Sequence, residues 1–68
     1  MSLVGVTLRM NVTYHYSWDD TKKEKAVVWR DDTFLVCLDD SYCRLLRLDD
    51  GHIFHMSRDE VSAFCKRV

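Results

Sequence analysis

Val4-Gly-Val-Thr-Leu-Arg-Met-Asn-Val-Thr-Tyr-His-Tyr-Ser-Trp18 alternates without a break, and the architecture turns on that alternation. Every even position is apolar: Val4, Val6, Leu8, Met10, Val12, Tyr14, Tyr16 and Trp18. Every odd position between them is not: Gly5, Thr7, Arg9, Asn11, Thr13, His15 and Ser17. Unbroken period-2 alternation is the pattern of a strand with one buried face. A helix would spread the even positions around its whole circumference. β-branched and aromatic residues dominate, as strands prefer. The reading therefore places residues 3–18 in one long first strand with its even side chains turned to the core.

The length of that strand constrains the fold. Residues 3–18 fully extended span about 50 Å. A compact chain of this size has a diameter of about 30 Å. The strand must bend, bulge or reach a partner. Gly5 and Asn11 suit a kink best. A first strand that bends and serves two sides of one barrel is the economical solution.

Four Asp-Asp pairs then punctuate the chain: Asp19-Asp20, Asp31-Asp32, Asp39-Asp40 and Asp49-Asp50. Asp is depleted in strands and favoured in turns. Turn signals at this spacing belong to a small sandwich or barrel. Acidic metal ligands are the sharper reading of these pairs; four turns is the simpler one and is preferred. Strands are expected at 24–30, 33–38 and 42–48, with Phe34, Val36 and Leu38 inward. For the next hairpin, a type I turn over Leu48-Asp49-Asp50-Gly51 with a left-handed Gly51 bulge would pair Leu48 with His52. It would put Leu46, Leu48, Phe54 and Met56 on one face.

The C-terminus has two readings. Ser57 and Glu60 have capping-box spacing. Val61, Phe64, Cys65 and Val68 then continue a helical stripe to 68. Alternatively, a helical turn at 58–61 is followed by a short strand at 62–67 that closes against the first strand. Both readings make 58–61 helical and bury Val61. The run from Leu48 to Val61, Leu-Asp-Asp-Gly-His-Ile-Phe-His-Met-Ser-Arg-Asp-Glu-Val, resembles the closing hairpin and helical turn of SH3-like small barrels. The expected architecture is thus all-β: a five-stranded antiparallel meander forming an SH3-like small barrel. It has a long bent first strand (3–18) and one C-terminal helical element around 58–61, reaching 68 in the helical reading.

The 68 residues make one domain, 1–68. At 47% hydrophobic with eight aromatic rings (two Trp, three Tyr, three Phe), the chain can build a core. Ten basic and eleven acidic residues give net charge −1, without the basic excess of a protein held to nucleic acid by backbone electrostatics. No signal-peptide pattern or apolar run of about 20 residues is visible, and Cys37, Cys43 and Cys65 are an odd number. Free thiols in a cytoplasmic protein are the expectation.

Few residues suggest chemistry. Zinc sites use close Cys pairs with a matching second pair, whereas Cys37 and Cys43 flank a turn and Cys65 stands alone. There is no Gly-rich phosphate loop and no signature of an activated nucleophile. The chain reads as a non-catalytic module with no metal or cofactor, engaging another protein in an adaptor or regulatory role. His15, Trp18, Lys22 and Lys23 are the expected contact surface. Tyr14, Tyr16 and Trp18 are assigned to the core by parity, near its rim, with His15 on the opposite polar face. The alternative is a small-barrel nucleic-acid binder, with Trp18 or Trp29 stacking on bases and Lys22, Lys23, Lys25, Arg30, Arg44 and Arg47 on the backbone. A homodimer through the first strand, at Val4–Val6 and Tyr16–Trp18, would cover its excess apolar surface.

Overall fold

The computed structural model describes residues 2–68. The chain is mostly β, with one short helix. In order, the elements are β1 (Thr7–Met10), β2 (Tyr14–Asp19), β3 (Glu24–Trp29), β4 (Thr33–Asp39), β5 (Tyr42–Arg47), β6 (Ile53–Ser57), α1 (Arg58–Phe64) and β7 (Cys65–Arg67). They form a single curled antiparallel sheet of order β3-β2-β6-β5-β4-β1-β7. Seven strands replace the expected five because the first strand divides in two and the chain gains a closing strand after the helix.

The division falls at residues 11–13, beside Asn11, one of the two expected kinks. β1 pairs with β4, and β2 pairs with β6. The two halves of one bent segment therefore take opposite edges of the β4–β5–β6 meander, so the sheet curls instead of lying flat. The corner is pinned from outside. Met10 N–H donates to Asp32 O, Asp31 N–H to Met10 O and Arg30 N–H to Thr13 O. Asn11 N–H goes to Phe64 O at the end of the helix.

This corner overturns the parity expectation. Leu8 and Met10 point inward as read. Past the corner the inward set is Ser17 and Asp19, both buried, while Tyr14, Tyr16 and Trp18 are exposed. The bend rotates the strand by one side, so the even residues of β2 leave the core. Burying Ser17 and Asp19 is tolerated because each is hydrogen-bonded. Ser17 Oγ donates to His55 O at 2.9 Å. Asp19 accepts from Thr21 N and Lys22 N, closing the β2–β3 turn.

The core proper is Leu8, Met10, Val28, Phe34, Val36, Cys43, Leu45, Phe54, Met56, Val61 and Cys65, with Phe34 and Phe54 edge-to-face at 6.0 Å. Two further expectations are corrected. Leu38 does not continue the inward face of β4. A bulge between Val36 and Leu38 places it opposite Arg44 and turns Asp39 inward, opposite Cys43. The β5–β6 loop is also one residue longer than expected. Gly51 is left-handed (φ 77°) as read, but Gly51 N–H reaches Arg47 O and Arg47 N–H reaches His52 O. Leu45 therefore pairs with Phe54 and Leu46 with Ile53. Leu45 is the buried leucine, and Leu48 lies 51% exposed. The competing attachment is visible: Leu48 N–H is drawn to Thr33 O on β4.

At the C-terminus the capping box forms as read. Ser57 Oγ accepts from Glu60 N, and Glu60 Oε1 accepts from Ser57 N. The helix ends at Phe64, and β7 pairs with β1, Met10 opposite Cys65. This is the closing-strand reading with a longer helix. The helical stripe does not reach Val68, which is exposed. No helix among the described residues is long and apolar enough to cross a membrane.

Candidate functional site: an outward aromatic face

All four Asp pairs lie at turns or strand ends, and several of their side chains brace those turns. Asp32 and Asp50 grip Arg47. The guanidinium makes a bidentate pair with Asp50 at 3.0 and 2.7 Å and reaches Asp32 at 3.2 Å. It also lies 4.7 Å over the Phe54 ring. The Asp50 carboxyl is held well below its usual range, chiefly by that pairing, and the Arg47 pKa is raised in return. Asp39 accepts from Leu3 N at 2.7 Å, which lowers its pKa. Among the described residues no cluster of His, Cys, Asp or Glu is arranged to hold a metal ion.

The three cysteines are free. Cys43 and Cys65 are both buried in the core, and burial pushes the Cys65 thiol up to about 11, with Cys43 adding to the effect. Such thiols stay protonated and serve as small apolar core groups.

The exposed side of the β2–β3 hairpin is different in kind. Its register pairs Tyr14 with Trp29, Tyr16 with Val27 and Trp18 with Lys25. Tyr14, Tyr16 and Trp29 are each more than half exposed, and Trp18 is 40% exposed. The rings meet their neighbours edge-on or tilted, with Tyr14 lying 6.1 Å from both Tyr16 and Trp29. Tyr14, Tyr16 and Trp29 cluster on this face, with Trp18 further along β2 on the same side opposite Lys25. Exposed aromatic surface of this kind marks interaction sites.

The free edge of this hairpin is partly closed. Trp29 N–H donates to Asp32 Oδ2, and Asp32 N–H donates to Trp29 O. Arg47 Nη1 donates to Val27 O at 3.4 Å. These contacts blunt the β3 edge against strand addition, so the side-chain face, more than the backbone edge, is what the hairpin offers.

The expected contact residues divide accordingly. Trp18 stands on the outward face. Lys22 and Lys23 lie in the adjoining turn, where Lys23 pairs with Asp20 at 3.2 Å. His15 is elsewhere: it lies on the inner side of β2 against the helix, stacked on Phe64 at 4.6 Å and bonded to Glu60. It fastens α1 to the sheet. Burial raises the Glu60 carboxyl, but the Ser57 N–H and His15 outweigh that and leave it lowered.

Of the residues in the nucleic-acid reading, Lys25 and Trp29 share the outward face with Trp18, and Arg44 lies two strands away. Arg30 is in the turn beyond Trp29. Arg47 is turned inward and engaged by Asp32 and Asp50. Sequence reasoning misses Tyr14 and Tyr16 as surface residues. The available signal is Asn11, a turn-forming residue in the middle of an otherwise unbroken alternation. Compared with known protein families, curated proteins and solved structures, the chain matches none of them.

Proposed function

We propose that this domain is a non-catalytic binding module, an SH3-like small barrel in a reducing, cytoplasmic setting, that engages another protein through the outward face of β2–β3. The observation that carries this reading is the exposure of Tyr14, Tyr16, Trp18 and Trp29 on one face of the hairpin. Tyr and Trp are prominent among the residues that dominate binding energy in protein interfaces, because they offer large rigid area and a polar tip. Since the same strand buries Ser17 and Asp19 instead, the outward placement costs the core apolar material that stability alone would retain.

The homodimer expected from the first strand takes a changed form under this reading. β1 is hydrogen-bonded on both sides, by β4 and β7, so a second copy would dock on the aromatic face. Light scattering at tens of micromolar separates self-association from a foreign partner. The direct test is the double substitution Tyr16→Ser with Trp29→Ser. Partner capture, or self-association, should be lost while the thermal midpoint stays nearly unchanged. Undiminished binding refutes the assignment.

One observation favours the second reading, nucleic acid: Lys22, Lys23 and Lys25 stand at the Trp18 end of the aromatic face. Titration with single-stranded oligonucleotides at low salt decides it. Salt-sensitive tryptophan quenching would support nucleic acid, and no quenching would remove it.

A further inference from the structure

The aromatic face has a chemical polarity that its composition conceals. The outward positions of β2, β3, β5 and β6 carry aromatic, aliphatic, hydroxyl, Lys, Arg and His side chains and no carboxylate. The chain is nevertheless net negative. Its acids lie in turns, at strand ends and on α1, and several are occupied by internal partners. Asp32 and Asp50 hold Arg47, Asp39 holds Arg58, and Asp19 meets His52.

Within this face one row runs straight across four strands. Lys25 of β3 is opposite Trp18, Trp18 is opposite His55 of β6, and His55 is opposite Arg44 of β5. Three strand spacings separate Lys25 from Arg44, about 14 Å. No acid pairs with Lys25 or Arg44 among the described residues.

The His55–Arg44 end of the row is left incomplete. His55 Nε2 and Arg44 Nε are both buried and without a hydrogen-bond partner among the described residues. The closest carboxylate oxygen to His55, on Asp20, is 3.9 Å away, beyond hydrogen-bond reach. Asp20 is hydrogen-bonded to Lys23, which chiefly lowers its pKa, with Arg44 and His55 near enough to add to the effect without bonding it. The Tyr42 ring lies tilted against His55 at 4.9 Å, and its hydroxyl accepts from Arg44 Nη2 at 3.4 Å. A buried polar atom without a partner carries a desolvation cost. Because Arg44 Nε and His55 Nε2 have no exposed surface, a ligand meets this end through the other guanidinium N–H groups of Arg44. A guanidinium held beside an imidazole is suited to a carboxylate.

We infer that the protein partner presents an acidic segment to this face, with a carboxylate seated over the row between Trp18 and Arg44 and apolar flanks on the tyrosines and Trp29. The inference rests on the protein-binding reading and names the chemistry of the partner. A carboxylate there accepts from Arg44 and complements Lys25 across Trp18. The net charge of −1 supplies no long-range attraction for a polyanion, so a local acid within an apolar segment fits better than a nucleic-acid backbone.

The test uses two short peptides, Gly-Glu-Leu-Glu-Leu-Glu-Gly and the same peptide with each Glu replaced by Gln, with an oligothymidine as the third probe. Binding is followed by NMR on the Trp18 indole, Arg44 Nε–H and His55 ring signals. The Glu peptide should shift all three and bind about tenfold more tightly than the Gln peptide, one charge-assisted contact being worth about that factor. The double substitution Lys25→Gln with Arg44→Gln should erase the difference between the peptides while leaving the Gln peptide's affinity and the fold's amide spectrum unchanged.

Equal binding of the two peptides overturns the inference and leaves the protein-binding reading standing. No shift from either peptide at millimolar concentration overturns the inference as well. Salt-dependent binding of the oligothymidine alone overturns both.

Discussion

Arg47 shows how one side chain can stand in for the hydrogen bonds a curled sheet lacks. It closes the β5–β6 loop through Asp50, reaches the β3–β4 turn through Asp32 and touches the β3 edge at Val27 O. Its side chain is only 14% exposed, while its two acids are about a quarter to a third exposed. The pairs therefore fall between surface and buried ion pairs in strength. Arg47→Leu should cost about 2 kcal/mol in urea denaturation. An unchanged midpoint would mean the loop holds itself. The acids that anchor the turns also set the pH response. Asp20, Asp39, Asp50 and Glu60 all have lowered carboxyl pKa values in the folded chain. The unfolded chain therefore binds more protons as pH falls through the ordinary carboxylate range. Stability from these groups is fully present near neutrality and declines below about pH 5. Thermal melts from pH 7 to pH 3 should show a falling midpoint on the acid side. A flat profile would contradict these assignments.

Among the elements, the β5–β6 hairpin and β2 carry the sharpest departures from the sequence reading. The hairpin register is testable by two leucines. Leu45→Ala should cost about 3 kcal/mol, since Leu45 is fully buried and paired with Phe54. Leu48→Ala should stay within about 0.5 kcal/mol. The three-residue loop predicts the reverse order. What is legible in the sequence reflects physics that acts locally. Asp pairs mark turns because their side chains cap nearby N–H groups, and Ser57 with Glu60 marks a helix start for the same reason. The strands within 24–30, 33–38 and 42–48 are legible from alternation and the turns between them. The facing of β2 is not, because alternation keeps its period across a corner while the corner reverses which side is buried. Nor is the loop length. Gly51 is left-handed in either loop, and the choice is made by Thr33 and Asp50, which are distant or ambiguous in sequence. The candidate site inherits the same gap. Lys22 and Lys23 are legible by type, and so is Trp18, although parity misplaces it along with Tyr14 and Tyr16; His15 turns out to brace the helix.

For the molecule as a whole, a chain of this size buries only about 60% of the surface its unfolded form exposes. Two tyrosines and two tryptophans nevertheless stand outside that small core. Both tryptophans of the chain, Trp18 and Trp29, lie on the outward face at 40% and 56% exposure. The decisive measurement is acrylamide quenching of tryptophan fluorescence, on dilute monomeric protein and on the same protein unfolded in urea. An outward aromatic face gives a red-shifted native emission and a native quenching constant more than half that of the unfolded chain. A blue-shifted emission shielded from acrylamide would put Trp18 back in the core with the even side of the first strand, and would refute the outward face.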